Sequence, residues 1–137
     1  MSGPVSSAGE EPRVILVEDD RETRETLAEL LRVEGFHVLP AANGLKLIAM
    51  LHAGRPDLII LDVNLSWIDG FELCRSVKRN EDFAHIPVVF LSGRTAQEDV
   101  QRGMTCGAEA YFVKPVDFDV MVARLREILA ARVGGES

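Results

Sequence analysis

The sequence predicts an α/β fold: five strands alternate with five helices and form a parallel sheet covered on both faces, joined by right-handed crossovers. Three observations carry this expectation. Short apolar runs recur along the chain, each followed by a loop and then a segment of helical spacing. Three of the runs are nearly continuous in aliphatic residues, as strands buried on both faces are. Acidic, hydroxyl and lysine residues stand just beyond the runs, where the carboxyl ends of a parallel sheet collect functional groups.

The elements follow in order. Residues 1–12 are rich in Ser, Gly, Pro and Glu with little to bury, and read as a flexible N-terminal tail. The first run is Arg13 to Val17, and Leu27, Leu30 and Leu31 then mark one face of a helix from about Arg21 to Glu34, ended by Gly35. A short mixed run, Phe36 to Leu39, suits an edge strand. Leu47, Ile48 and Leu51 mark the second helix before Gly54, and Pro56 bars its continuation. Leu58 to Leu61 is the third strand. Asp69-Gly70 opens a helix carrying Leu73, Cys74 and Val77. Ile86 to Leu91 is the fourth strand, and Val100 and Met104 mark a shorter helix. Ala110 to Val113 reads as a second edge strand. Asp117 caps a last helix lined by Phe118, Met121, Val122, Leu125, Ile128 and Leu129. Residues 133–137 read as a flexible C-terminal tail, which leaves a single domain over 13–132.

Composition narrows the function. The chain has 137 residues, 47% hydrophobic and 27% charged, which is enough for one core and too apolar for disorder. A net charge of -7 argues against direct nucleic-acid binding and against an anionic membrane. No apolar run reaches membrane-spanning length, and no secretory signal is legible at the N-terminus, so the expected location is the cytoplasm. Cys74 and Cys106 read as half-buried free thiols of a reducing compartment. His37, His52 and His85 show no metal-ligand spacing.

The residues beyond the strands are Glu18, Asp19 and Asp20 after the first, Asp62 after the third, Ser92 after the fourth and Lys114 after the fifth. Singly, each has an ordinary explanation as a turn residue, a helix cap or a solvated loop side chain. Jointly, at one end of one sheet, they point to a site. If the first and third strands are neighbours, Glu18, Asp19 and Asp62 converge. Carboxylates that close need a shared cation, and oxygen-only ligands in a shallow solvated pocket suit Mg²⁺, with Mn²⁺ the alternative. Asp62 then has the chemistry of a carboxylate nucleophile toward phosphorus, while Ser92 and Lys114 can pair with phosphoryl oxygens.

At these residues the chain resembles a response-regulator receiver domain of two-component signalling, from about Arg13 to Arg132. Val14-Ile15-Leu16-Val17-Glu18-Asp19-Asp20 resembles the family's first strand and acidic pocket. Asp57 to Asp62 resembles the strand that leads to the phosphoacceptor, and Tyr111-Phe112-Val113-Lys114-Pro115 resembles the fifth strand and its lysine. The resemblance implies the flavodoxin-like, CheY-like (βα)5 sandwich with strand order 2-1-3-4-5. It implies Asp62 as phosphoacceptor, Glu18 and Asp19 as the metal pair, and the Asn64 backbone carbonyl as a further metal ligand. Asp20 falls at the helix start. Ser92 and Tyr111 become switch residues, and Lys114-Pro115 a cis bond. The phosphoryl donor implied is a histidine kinase or histidine phosphotransfer protein. Ser92 then moves toward the phosphate and Tyr111 inward, which remodels the face of the fourth helix, fifth strand and fifth helix toward a downstream protein or effector domain. The expected state is a monomer or weak dimer, a signalling phosphoacceptor domain and not an enzyme beyond self-catalysed phosphotransfer and slow autodephosphorylation.

The chain departs from the family pattern in two places: Leu65-Ser66 stands where Met-Pro or Leu-Pro is usual, and Gly93 where Ala is more common. These keep open a receiver that acts only as a phosphorylation-independent docking module. A haloacid-dehalogenase-type phosphatase is the enzyme alternative. It needs a second Asp two residues after the nucleophile, where Asn64 stands, and its acidic metal motif comes late in the chain. A flavin binder of the same topology needs a hydroxyl- and glycine-rich loop after the first strand, where this chain is acidic. The DNA-binding subfamily's acidic pair before the tyrosine and Phe after Lys-Pro are replaced by Glu109-Ala110 and Val116, although Arg124 matches. Trp67 is placed in sequence to report on the pocket or to touch the kinase.

Overall fold

A computed structural model describes residues 11–66 and 68–136 of the chain, so Trp67 and most of the expected N-terminal tail lie outside the described residues. The elements are β1 (Arg13–Val17), α1 (Arg21–Val33), β2 (His37–Ala41), α2 (Gly44–Ala53), β3 (Leu58–Leu61), α3 (Gly70–Arg79), β4 (Val88–Ser92), α4 (Gln97–Thr105), β5 (Ala110–Val113) and α5 (Phe118–Glu136). All strand pairs are parallel, and the sheet order is β2-β1-β3-β4-β5. β2 and β5 are the edges, as their mixed composition predicts.

Alternation along the strands divides the core into two layers. Ile15, Val17, Ile59, Leu61, Val88 and Phe90 face α2, α3 and the end of α4, packing with Leu47, Leu51, Phe71, Cys74 and Val77. Val14, Leu16, Leu58, Ile60, Val89 and Leu91 face α1 and α5, packing with Ala28, Leu31, Met121, Val122, Leu125 and Ile128. Apart from Arg13 at the start of β1 and Ser92 at the end of β4, the central strands are therefore apolar throughout, because both of their faces are covered.

Several expectations shift by a residue or more. Leu30 is exposed and Ala28 buried instead, since neighbouring helical positions stand about 100° apart and Leu31 already faces the sheet. Met104 is exposed, and Gly103 takes the packed position of α4 against the rings of Phe90 and Tyr111. β2 begins at His37, one residue past the buried Phe36. The last helix runs through Glu136 instead of stopping at Arg132; Gly134 and Gly135 weaken a helix without barring it. Gly35 ends α1 with φ +99°, a conformation that favours glycine, and its N–H bonds the Arg32 carbonyl at 3.0 Å.

Both cysteines are buried, not half-buried, and free. Cys74 Sγ faces the Cys106 carbonyl at 3.7 Å, and burial pushes its thiol up to about 12. At pH 8 the thiolate fraction is then roughly one in ten thousand, so Cys74 is expected to resist a thiol reagent in the native protein. Titration in guanidinium should recover both thiols, while rapid native reaction at Cys74 would contradict its burial.

Candidate functional site

Register brings the strand ends together. Val17 lies beside Leu61 and Leu61 beside Phe90, so Glu18, Asp62 and the end of β4 share one edge of the sheet. Backbone bonds extend the alignment past the strands: Glu18 N–H to the Ala41 carbonyl, Asp62 N–H to Val17 and Lys114 N–H to Ser92. Glu18 (4% exposed), Asp62 (7%) and Ser92 (0%) are the buried polar residues of the described chain, and all three sit here. Buried polar groups require partners.

Lys114 supplies the central partner. Its Nζ donates to Glu18 Oε1 at 2.8 Å and to Asp62 Oδ2 at 3.2 Å, so one ammonium stands between two nearly buried carboxylates. Burial would lower this lysine, but the Glu18 hydrogen bond and the charges of Asp62 and Glu18 outweigh it and hold the ammonium above its ordinary range. Burial raises the Glu18 carboxyl above its usual value even though Lys114 and the Asp20 N–H pull it down. Two carboxylates share this single ammonium. Lys114-Pro115 is cis, as the resemblance implies.

The three expected carboxylates do not surround one point: among the described residues, no three Asp, Glu, His or Cys side chains are grouped as a metal set. Lys114 fills the place between Glu18 and Asp62, and Asp19 turns outward, where its Oδ2 accepts from the Ser66 hydroxyl at 3.0 Å. Asp20 caps α1, accepting from the Thr23 N–H at 2.9 Å and the Thr23 hydroxyl at 2.6 Å. The oxygen-only donor set nonetheless fits a hard divalent cation. Glu18, Asp19 and Asp62 are the side chains that would hold it, with the Asn64 carbonyl on the adjoining loop.

That loop is tightly folded. The Asn64 N–H donates to Asp62 Oδ1 at 3.1 Å, and the Leu65 and Gly70 N–H groups both return to the Val63 carbonyl. Gly70 permits this closure, since a Cβ there would lie 2.2 Å from the Asp62 carbonyl oxygen and 2.7 Å from Val63 Cα. Asp69 caps α3 through the Phe71 N–H at 2.7 Å.

On the other side of Asp62, Ser92 Oγ accepts the Arg94 N–H at 3.2 Å. The Arg94 guanidinium reaches Asn64 Oδ1 at 2.9 Å and Asp99 at 3.5 Å. Tyr111 lies against Phe90 and donates its hydroxyl to the Arg94 carbonyl at 2.9 Å, so it already points inward. Burial raises its phenol, opposed by a hydrogen bond with Ser92. Arg94 therefore touches Asn64 on the loop after Asp62, Ser92 and Tyr111, and sequence reading missed it. Its signal was a charged residue directly after Ser92-Gly93.

The family described as response regulator receiver domain matches residues 14–126. The transcriptional regulatory protein AfsQ1 of Streptomyces coelicolor is 42% identical over 118 residues, 86% of this chain and 51% of that protein. The DNA-binding dual master transcriptional regulator RpaA of Synechocystis is 36% identical over 86% of this chain and 49% of its own length. The chain thus spans about half the length of these curated relatives. Among solved structures, the receiver domain of a signal transduction histidine kinase from Syntrophus aciditrophicus superposes with a TM-score of 0.81 at 32% identity, covering 88% of this chain and 91% of that one. The chemotaxis protein CheY4 of Vibrio cholerae gives 0.79 at 29% identity, covering 85% and 98%.

Proposed function

The chain belongs to the response-regulator receiver domain family, and from that premise we propose that it is a magnesium-dependent phosphorylation switch with Asp62 as its phosphoacceptor. The observation that carries this reading is the Lys114 ammonium held between two nearly buried carboxylates, Glu18 and Asp62, at the carboxyl edge of the sheet. The donor is a phosphohistidine of a histidine kinase or phosphotransfer protein.

In the transfer, a carboxylate oxygen of Asp62 forms a bond to phosphorus as the phosphorus–nitrogen bond breaks, and the electron pair returns to the donor imidazole. The product is an acyl phosphate on Asp62. Glu18, Asp19 and Asp62 would hold Mg²⁺, which would supply positive charge to offset the carboxylates and the incoming phosphoryl oxygens. Lys114, already paired with Asp62 Oδ2, is placed to follow the added charge, and the Ser92 hydroxyl can turn to donate to a phosphoryl oxygen. Because Arg94 N–H bonds Ser92 and the Arg94 carbonyl accepts from Tyr111, a shift of Ser92 is transmitted to β5 and the α4-β5-α5 face. The phosphoryl group biases two existing arrangements toward one. That face meets a downstream protein or effector domain, in the cytoplasm, with the chain a monomer or weak dimer. Direct contact with nucleic acid is left to a partner or an attached domain. Among the described residues, no helix is long and apolar enough to cross a membrane.

Incubation with acetyl phosphate and Mg²⁺ should add one phosphoryl group to the intact mass, and chelation of the metal should prevent it. Absence of added mass together with absence of beryllofluoride binding would sink the switch and leave a docking module.

Lys114 separates two effects of opposite sign. Lys114→Met should lower the melting temperature of the metal-free protein by a few degrees, because Glu18 and Asp62 lose their shared counter-charge. It should also tighten Mg²⁺ binding, because a positive charge beside the site is gone. Calorimetric titration beside thermal unfolding reads both. Weaker Mg²⁺ binding in the variant would contradict this charge balance.

A further inference from the structure

A continuous chain of hydrogen bonds leads from Asp62 to α4. The Asn64 N–H donates to Asp62 Oδ1 at 3.1 Å, and Arg94 Nε donates to Asn64 Oδ1 at 2.9 Å. Arg94 Nη1 then reaches Asp99 Oδ1 at 3.5 Å, and Asp99 lies in the first turn of α4. That turn has few other anchors. Ala96 stands at its N-cap and has no side-chain oxygen to offer the free N–H groups. The packed position of this nine-residue helix comes late, at Gly103. We propose that the Arg94 side chain is a positioning element for α4, relaying the state of Asp62 by a route separate from Ser92 and Tyr111.

The trigger is the change in what Asp62 can accept. As a carboxylate it offers the Asn64 N–H a charged oxygen, and such bonds are roughly twice as strong as neutral ones. As an acyl phosphate it offers an ester carbonyl, a weaker acceptor. Asn64 then slackens, Arg94 loses its fixed partner on the loop, and the guanidinium holds Asp99 less firmly. The first turn of α4 opens more often. The size of the effect is bounded, because the Arg94 and Asp99 side chains are 39% and 22% exposed. A pair so placed shifts a local opening equilibrium by about two- to fivefold. The backbone of Arg94 serves the other route, with its N–H on Ser92 Oγ and its carbonyl on the Tyr111 hydroxyl. A substitution at 94 therefore cuts the side-chain relay and keeps both backbone groups.

This inference rests on Asp62 as the phosphoacceptor proposed above, and its test separates the two. Hydrogen exchange at the Val100 to Gly103 amides would be measured on the full chain as wild type, Arg94→Ala, Asn64→Ala and the double variant. Each would be read with and without Mg²⁺ and beryllofluoride, with bound beryllofluoride followed by its fluorine resonance. Without ligand, Arg94→Ala should exchange about two- to fivefold faster than wild type at these amides. Asn64→Ala should speed exchange when Arg94 is present and add nothing once it is alanine. Bound beryllofluoride should speed exchange in wild type and do so less in Arg94→Ala. Equal exchange in unliganded wild type and Arg94→Ala, an Asn64→Ala effect that persists in the double variant, or an undiminished response to bound beryllofluoride in Arg94→Ala would overturn the relay and leave the phosphorylation switch standing. Neither beryllofluoride binding nor phosphoryl uptake by wild type would remove the switch and the relay together.

Discussion

Asp62→Asn is expected to take up no phosphoryl group from acetyl phosphate while remaining folded and at least as stable as the wild type. The amide is close to the carboxylate in shape, and its oxygen can still accept the Asn64 N–H now received by Asp62 Oδ1 at 3.1 Å. It has no negative charge with which to attack phosphorus, so the rate should fall at least about 10³-fold, the scale on which loss of a nucleophile acts. Stability should move the other way. Asp62 adds to the repulsion that keeps the Glu18 carboxyl above its ordinary value, although burial is the larger cause. Lys114 loses its 3.2 Å partner but keeps Glu18 at 2.8 Å. Intact-mass measurement and thermal unfolding of the same preparation read both effects. A folded Asp62→Asn protein that still gains a phosphoryl group would move the phosphoacceptor elsewhere.

Gly70→Ala is expected to be the most damaging single methyl group in the pocket region. The added Cβ would meet backbone, the Asp62 carbonyl oxygen at 2.2 Å and Val63 Cα at 2.7 Å, not the movable end of a side chain. Backbone cannot yield without disturbing β3 or opening the loop, so the cost should reach about 3 kcal/mol or more. The gain from replacing glycine in a helix, about 0.5–1 kcal/mol, is too small to offset it at this first helical position. The melting temperature should drop by about 10 °C, and phosphoryl uptake should fall too, because the clash falls on the phosphoacceptor's own carbonyl. An unchanged melting temperature would show that the loop is not closed as tightly as Gly70 implies.

The site was legible in sequence to the extent that a parallel sheet orders it. Glu18, Asp62 and Lys114 each follow a strand by one residue and Ser92 ends β4, where the sequence put it just beyond the strand; register gathers all four at one edge. Asp117, which accepts the Val120 N–H at the start of the last helix, was readable as a cap from local chemistry, and the resemblance put Asp20 at the start of the first. What escaped were side-chain directions and contacts between distant loops. Asp19 reads in sequence as converging with Asp62, yet it turns to Ser66, 47 residues away. Arg94 reaches Asn64 across 30 residues, and no periodicity announces such a reach. Lys114 was expected to meet phosphate, and in the structure its ammonium pairs with Glu18 and Asp62. Leu30 and Met104 show the same limit on helices, where a step of one residue turns a side chain from core to solvent.

The central claim is that the phosphoryl group resides on Asp62, and locating it chemically is the most direct test. An acyl phosphate is reduced by borohydride to an alcohol, so the phosphorylated protein would be reduced, digested and read by peptide mass. The expected result is a homoserine at position 62 in the peptide that spans the β3–α3 loop, formed only with Mg²⁺ and phosphodonor present. A reduced residue at any other carboxylate, Glu18 and Asp19 included, would contradict the assignment of the phosphoacceptor.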